Sequence, residues 1–165
     1  MIIRGIFKIY RQKTPFWLTI VHVFYSYGNP KKISWVIQTR NSIVEQNREH
    51  AEIYKDKVTS LQSKYIALHV GLFWRVGVFI IKNKDIVKIK FDEKIMYDHF
   101  TSNSKIEDEF IKKRIQFIRQ LIEQRKLKIE FQMIDKEKNL ARIISMQKSL
   151  RPTTSSYLVT AQLRC

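Results

Sequence analysis

Hydrophobic residues in the first third of the chain form short runs that predict β-strands. Residues 16–26 are rich in β-branched and aromatic side chains and stop at a Gly-Asn-Pro turn, which indicates a buried strand. Residues 33–39 predict a second strand, and residues 42–54 predict a third. Because short connections join these runs, we expect the three strands to pair as an antiparallel meander.

After residue 59 the hydrophobic spacing changes to a helical period. Thr59 and Gln62 form a capping box, which predicts a helix over residues 60–79. A second capping box, at Ser104 and Glu107, predicts a further long helix. The expected apolar faces carry Leu61, Tyr65, Leu68, Leu72 and Val76 in the first helix and Phe110, Ile111, Phe117, Ile118, Leu121 and Ile122 in the second.

Two further strand patterns follow in the second half of the chain. Residues 86–91 and 127–134 alternate apolar and polar side chains, as strands do. Helices are predicted over residues 94–100 and 137–147, so the element order is βββ-α-β-α-α-β-α. Each later strand is reached through a helix, which favours parallel pairing. The predicted fold class is therefore α/β, with helices packed on one mixed five-stranded sheet.

The chain is strongly basic, and its charge is uneven. Lys and Arg number 31 against 15 Asp and Glu, which gives a formal net charge of +16. A protein of this charge attracts polyanions such as nucleic acid. Residues 1–44 hold no acidic side chain, and residues 1–14 are predicted to be a basic arm or a mitochondrial targeting segment. Residues 15–147 form the predicted domain, and residues 148–165 form a predicted tail.

Composition excludes several classes of protein. The single cysteine, Cys165, excludes an internal disulfide framework and a cysteine-based zinc site. The four histidines show no metal-ligand spacing, and His22 and His69 fall in apolar runs where core histidines are expected. The sequence holds no phosphate-binding glycine loop and no uninterrupted run of the ~20 apolar residues that a membrane span needs, so no membrane partner is expected.

Several short motifs lie in a definite order on the predicted elements. Gly28-Asn29-Pro30 ends the first strand, and residues 59–72 begin with Thr and contain a Tyr, an Ala-Leu pair and a Gly-Leu pair. Asp92 ends the fourth strand, and residues 135–142 open the last helix. Together these motifs resemble the ribonuclease H type 1 domain, as found in retroelement polyproteins and in bacterial and plant relatives. The resemblance covers residues 17–146 and implies a ribonuclease H-like fold.

The resemblance also implies a chemistry that this sequence does not support. The family hydrolyses RNA with two divalent ions about 4 Å apart, held by about four carboxylates. Those positions fall here on Val23, Lys64, Asp92 and Arg142. Only Asp92 is a carboxylate, and two of the replacements are cations, which repel Mg²⁺. The resemblance therefore implies a domain that has lost its catalytic centre.

Asp92 has a structural interpretation that we favour over metal binding. A polar residue just past a strand often caps the next helix, and Lys94 begins one. We therefore expect Asp92 to cap that helix or to pair with Lys64. Glu93 and Asp98 are expected to lie on a solvated helix face.

The favoured function is a catalytically inactive, ribonuclease H-like protein that binds RNA or an RNA–DNA hybrid through a basic face. Backbone phosphates are the expected ligands. Tyr25, Tyr27 and Trp35 either offer stacking surfaces or, as strand aromatics, belong to the core. No cofactor and no metal site is expected for this function. The expected nucleic-acid-binding residues are Asn29, Lys31, Lys32, Lys64 and Arg142.

Three alternatives stay open at the level of the sequence. The first is a divergent nuclease for RNA–DNA hybrids that recruits Mg²⁺ ligands from elsewhere, with Asp92 as its one catalytic residue. The second is a lineage-specific structural subunit of a mitochondrial ribonucleoprotein. The third is a retroelement relic with no selected role. The scarcity of carboxylates ranks the nuclease below the binding protein.

Overall fold

The computed structural model describes residues 19–150 and their side chains up to residue 147. The predicted arm, residues 1–14, and the predicted tail beyond residue 150 lie outside the described residues. None of the described helices is long and apolar enough to cross a membrane. The strands are β1 (Val21–Gly28), β2 (Lys32–Thr39), β3 (Ser42–Glu49), β4 (Ile86–Phe91) and β5 (Lys128–Met133). The helices are α1 (Ser60–Gly77), α2 (Lys94–Thr101), α3 (Glu109–Arg125) and α4 (Leu140–Leu150), with a 3₁₀ turn at Lys136–Lys138.

The five strands form one mixed sheet in the order β3-β2-β1-β4-β5. β1, β2 and β3 pair antiparallel, whereas β4 pairs parallel with both β1 and β5. The predicted α/β class, element order and mixed sheet are confirmed. Because β1 and β4 are parallel neighbours at the centre of the sheet, their carboxyl ends meet at one edge, where α/β proteins commonly bind ligands.

The main hydrophobic core lies between the sheet and α1. Alternation along β1 and β4 turns one set of side chains toward this core, and α3 packs against the outer side of α1. On the other face of the sheet, α4 packs on β1 and β2, and Ser34 Oγ donates a hydrogen bond to the Ala141 carbonyl at 2.7 Å. Core residues include Phe24, Trp35, Tyr65, Leu68, Leu72, Val87, Ile89, Phe91 and Ile118.

Two motif glycines allow close packing between β1 and α1. A Cβ added to Gly28 would lie 2.4 Å from Ser63 Oγ and 2.5 Å from the Ser63 carbonyl atoms, closer than real Cβ atoms approach. A Cβ added to Gly71 would lie 2.6 Å from Phe24 Cζ. These glycines of the GNP turn and of the Gly-Leu pair therefore serve the packing of the fold, whatever its chemistry.

Several element ends differ from the predicted ones. β3 ends at Glu49 rather than residue 54, because the chain then turns and Tyr54 N–H donates to the Ala51 carbonyl at 2.8 Å. α1 ends at Gly77 rather than residue 79, and Phe79 has a φ of 60°, which a right-handed helix does not allow. The last helix begins at Leu140 rather than residue 137, after the 3₁₀ turn, and it continues to Leu150, through the first three residues of the predicted tail.

The capping box predicted at Ser104 and Glu107 is wrong. The cap of α3 is Asp108, whose Oδ1 accepts hydrogen bonds from Phe110 N–H at 2.8 Å and Ile111 N–H at 3.2 Å. Gln62 Nε2 donates to the other carboxylate oxygen of Asp108 at 2.8 Å. This contact with the start of α1 favours Asp108 as the cap. It joins residues far apart along the chain, so the local sequence pattern does not predict it.

Candidate nucleic-acid interface

The candidate site lies where the carboxyl ends of β1 and β4 meet. Tyr25 pairs with Lys90 in the parallel register, so Tyr27 is in register with Asp92. Val23, onto which the resemblance placed a catalytic carboxylate, instead pairs with Lys88, well before the end of the strand. The register therefore places the end of β1 at Tyr27, and not Val23, level with Asp92. No residue of β1 carries a carboxylate.

Asn139 joins three elements at this point. Its Nδ2 donates to the Ser26 carbonyl of β1 and to Asp92 Oδ2, each at 3.0 Å. Its Oδ1 accepts from the N–H groups of Ala141 at 3.1 Å and Arg142 at 3.4 Å, which caps α4. Because Asn139 is fully buried, this amide fixes the position of α4 relative to β1 and β4.

Both expectations for Asp92 are wrong. The N-cap position of α2 is Glu93, without a side-chain capping bond, and the carboxylate of Asp92 accepts from Asn139 instead. The ion pair with Lys64 is made by Glu93, whose Oε1 lies 2.5 Å from Lys64 Nζ. Glu93 is therefore not on a solvated helix face. The backbone after β4 is extended at Glu93, which turns its side chain toward α1.

Three cations surround the carboxylate of Glu93. Lys64 Nζ is hydrogen-bonded to it, and Lys136 Nζ lies 3.8 Å from the same Oε1 atom. The hydrogen bond from Lys64, with the positive charges of Lys64, Lys136 and Arg142, holds the pKa of Glu93 below its ordinary value. Glu93 therefore stays ionised at neutral pH, and the surrounding cations outnumber it.

Tyr27 lies between two of these cations. Lys64 Nζ is 6.0 Å from the centroid of the Tyr27 ring, and Arg142 Cζ is 5.6 Å from it. Both distances fall within the range of cation–π attraction. We call Lys64, Lys136 and Arg142, with Glu93 and Tyr27, the cation cluster.

The donor set of the site does not fit a pair of divalent ions. Two-metal hydrolysis needs several carboxylate oxygens that converge on the ions. Asp92 is bound to an amide and Glu93 to a lysine. Among residues 19–147, no group of three His, Cys, Asp or Glu side chains is placed to hold a metal.

The remaining predicted binding residues are divided between structural and exposed roles. Asn29 Oδ1 accepts hydrogen bonds from Lys31 N–H at 2.9 Å and Lys32 N–H at 3.0 Å, which closes the turn between β1 and β2. Lys32 Nζ donates to the Ser145 carbonyl of α4 at 2.6 Å. Lys31 is exposed at the turn. Trp35 is a core residue, so it offers no stacking surface.

Two predicted core histidines have different environments. His22 is buried, and its Nε2 lies 2.8 Å from Asp85 Oδ2, which confirms it as a core histidine with a partner. His69 is only half-buried and accepts a hydrogen bond at Nδ1 from Arg114 at 3.0 Å. Burial and the Arg114 charge lower its pKa to about 4. Phe117, predicted in the core, is exposed, and its ring stacks on His69 with the ring centroids 5.6 Å apart.

Three residues of the site were not identified from the sequence. Glu93 was assigned to a solvated face, and Lys136 and Asn139 were assigned no role. Asn139 does carry a local signal, because Asn before an apolar run is a common N-cap. Glu93 and Lys136 carry no comparable signal, since their partners lie far away along the chain.

Comparisons with known proteins identify the fold. No protein-family model matches the sequence, and no curated protein sequence matches it. Among solved structures, the chain is similar to the N-terminal RNase H domain of a Mycobacterium tuberculosis protein, with a TM-score of 0.60 and 14% identity. The match covers 79% of this chain and 99% of that one.

Two further structures agree with this match. One is LC11-RNase H1 in complex with an RNA/DNA hybrid, with a TM-score of 0.59, 16% identity and coverage of 80% of this chain and 99% of that one. The other is RNase H1 from the archaeon Halobacterium salinarum, with a TM-score of 0.60, 14% identity and coverage of 78% and 98%. At these identities the similarity concerns the fold. The chain therefore has a ribonuclease H-like fold.

Proposed function

We propose that this protein is a non-catalytic, ribonuclease H-like module that binds RNA–DNA hybrids through a basic face. The observation that carries the proposal is the cation cluster, which lies at the carboxyl ends of β1 and β4. Two of its cations, Lys64 and Arg142, stand at positions where the family resemblance expects carboxylates. The site has therefore changed from one that suits metal ions to one that suits phosphate groups.

The charge of the whole chain supports this proposal. A formal net charge of +16 favours polyanions at long range, and the exposed Lys31 extends the basic face beside the β1–β2 turn. Lysine and arginine contacts to phosphates position a duplex without reading its sequence. We therefore expect binding that depends on salt and is tolerant of sequence.

The structural neighbours favour a hybrid duplex as the ligand. LC11-RNase H1 was solved in complex with an RNA/DNA hybrid. A foamy viral protease–reverse transcriptase, with a TM-score of 0.50 and 12% identity, was solved with double-stranded DNA; the match covers 73% of this chain and 22% of that one. The hybrid is the first ligand to test, and duplex DNA is the comparison.

The test is a titration of the protein into a labelled RNA–DNA hybrid with Mg²⁺, analysed on native and denaturing gels. We expect a mobility shift that weakens steeply between about 50 and 200 mM salt, with the RNA strand intact. Mg²⁺-dependent cleavage that is lost in Asp92→Asn would establish the divergent nuclease instead. Absence of both a shift and cleavage would contradict the proposal and favour a structural subunit or a relic.

A further inference from the structure

We infer that the cation cluster is a metal-independent binding site for one backbone phosphate of a duplex. Lys64, Lys136 and Arg142 supply the positive charge for that phosphate in the absence of divalent ions. This inference rests on the proposed function, and it adds the chemical group that is bound, the residues that bind it and the ion dependence of binding.

Charge is the first argument. The three cations face one ionised carboxylate, Glu93, so the cluster keeps a formal charge of +2. Even if the nearby Asp92 carboxylate is counted, the total remains +1. A phosphate diester carries a single negative charge, and cations bind it through charge-assisted hydrogen bonds.

Accessibility is the second argument, because the cations are held at different depths. The Lys64 side chain is 10% exposed, the Glu93 side chain 29% and the Lys136 side chain 53%. Lys64 and Glu93 thus form the floor of the site. Lys136, which is exposed, and Arg142, which is half-buried, are the outer cations. The ion pair of Lys64 and Glu93 links α1 to the end of β4 through a 2.5 Å contact.

Preorganisation is the third argument. Arg142 is in the first turn of α4, whose start is fixed by the buried Asn139, and its guanidinium lies against Tyr27. Lys136 belongs to the 3₁₀ turn that precedes the same cap. The backbone segments that carry both outer cations are therefore fixed before ligand arrives, which reduces the entropy lost on binding.

The same geometry excludes a useful contribution from Mg²⁺. Mg²⁺ prefers near-octahedral oxygen ligands, and the two carboxylates here are already bound to Asn139 and Lys64. A divalent ion would also be repelled by three cations. We therefore expect Mg²⁺ not to strengthen hybrid binding, and to weaken it where Mg²⁺ competes with the protein's cations for the phosphates.

The first experiment measures hybrid affinity by fluorescence anisotropy with an 18-base-pair labelled RNA–DNA duplex. One series contains EDTA, and the other contains Mg²⁺ with NaCl reduced to match the ionic strength. We expect the dissociation constant with Mg²⁺ to be equal to or higher than that in EDTA, because Mg²⁺ competes with the protein's cations for the phosphates. A Mg²⁺ requirement, or an increase in affinity of more than about twofold with Mg²⁺, would overturn the inference and would leave the proposed binding function in place.

The second experiment removes the outer cations one at a time. Lys136→Ala and Arg142→Gln are each expected to weaken binding about three- to tenfold and to reduce the log–log salt slope by about 1. The matched control is Lys113→Ala, since Lys113 is an exposed lysine of α3, outside the cluster. Equal losses in all three variants would contradict a defined phosphate site and would indicate a diffuse basic surface.

The third experiment reverses the charges. The double variant Lys64→Glu, Arg142→Asp places two carboxylates beside Asp92 and Glu93. We expect it to bind hybrid at least tenfold more weakly in EDTA, with Mg²⁺ restoring part of the affinity. Circular dichroism establishes that the variant is folded, and Lys136→Ala tests the same site if it is not. If the wild-type chain binds no hybrid, the proposed function itself fails, an outcome distinct from those above.

Discussion

The two ends of the β1–β4 strand pair each carry a contact between an acidic and a basic side chain. The contact at the amino ends is buried, and we call this the closed end. The contact at the carboxyl ends continues to the surface, and we call this the open end. At the amino ends, His22 Nε2 donates to Asp85 Oδ2 at 2.8 Å. At the carboxyl ends, Lys64 donates to Glu93 at 2.5 Å. The His22 and Asp85 side chains are 1% and 10% exposed, whereas the cluster around Glu93 continues outward to the half-exposed Lys136.

The two acids, Asp85 and Glu93, also differ in their partners. Asp85 Oδ2 also accepts the Lys82 backbone N–H at 2.8 Å, so the acid is used within the fold. Glu93 instead has an excess of cations around it, of which it can neutralise only one. A closed pair stabilises the fold, and an unbalanced pair at the surface is available for a charged ligand. The amino ends therefore serve the fold, and under the proposed function the carboxyl ends serve binding.

The largest expected effect is on stability, at the closed end. Asp85→Ala removes the acceptor of the buried His22, and it also removes the acceptor of the N–H of the exposed Lys82, which water can replace. A buried group without a partner costs about 1–3 kcal/mol, so we expect a loss of about 2 kcal/mol in the free energy of unfolding. Urea denaturation measures this loss. The affinity of the folded fraction for hybrid is expected to stay unchanged. A parallel loss of affinity would contradict the separation of a structural amino end from a binding carboxyl end.

His69 lies outside both ends of the strand pair, and we expect it to make the stability of the fold depend on pH. His69 has its pKa lowered to about 4 by burial and by Arg114, from an ordinary value of 6.5. Between these values the unfolded chain binds the proton and the fold does not, so stability falls as the pH drops from 6.5 to 4. Burial also lowers the pKa values of His50 and His99, which act in the same direction.

The variant His69→Gln isolates this contribution. Its amide oxygen can still accept from Arg114, but it does not titrate. We expect the difference in urea midpoint between pH 7 and pH 5 to be smaller in His69→Gln than in the wild type. An unchanged difference would assign the acid sensitivity to the other groups.

The third prediction acts on the open end. Glu93→Gln removes the one carboxylate that opposes the three cations, so the formal charge of the cluster rises by one. We expect hybrid affinity to increase about threefold at low salt, with a steeper salt dependence. The direction of the change in affinity distinguishes two roles for Glu93. If Glu93 only maintained the geometry of the site, its substitution would lower the affinity for hybrid. Asp98→Asn is the matched control, because Asp98 is a similarly half-buried carboxylate that pairs with Lys94 outside the cation cluster.

Much of the fold could be predicted from the sequence, because alternation and helical spacing are local properties. The alternation of Val87, Ile89 and Phe91 predicted β4, and all three side chains are buried. The site depends on contacts between residues far apart along the chain. Lys64 and Glu93 are separated by 29 residues, and Asp92 and Asn139 by 47.

The motifs that carried the resemblance explain why the fold was easier to predict than the site. Gly28 and Gly71 are retained where a Cβ would clash, and Asn29 is retained where a turn must close. Packing requirements of this kind persist whether or not the chain hydrolyses RNA. The positions to which the resemblance assigns carboxylates have no such packing requirement, so the fold is compatible with Lys64 and Arg142 there.

The smallest effect is expected between the two ends, on β4 itself. Lys88 pairs with Glu130 of β5 at 3.4 Å, and the two side chains are 35% and 49% exposed. Solvent screens such a pair, so Lys88→Gln should change the free energy of unfolding by less than about 0.5 kcal/mol. Lys88 is four residues before Asp92 and outside the cation cluster, so hybrid affinity should also change by less than twofold. A larger loss of affinity in Lys88→Gln than in Lys136→Ala would place the phosphate contacts along the strand rather than at its end, and the two ends of the β1–β4 pair would then no longer differ in the way described.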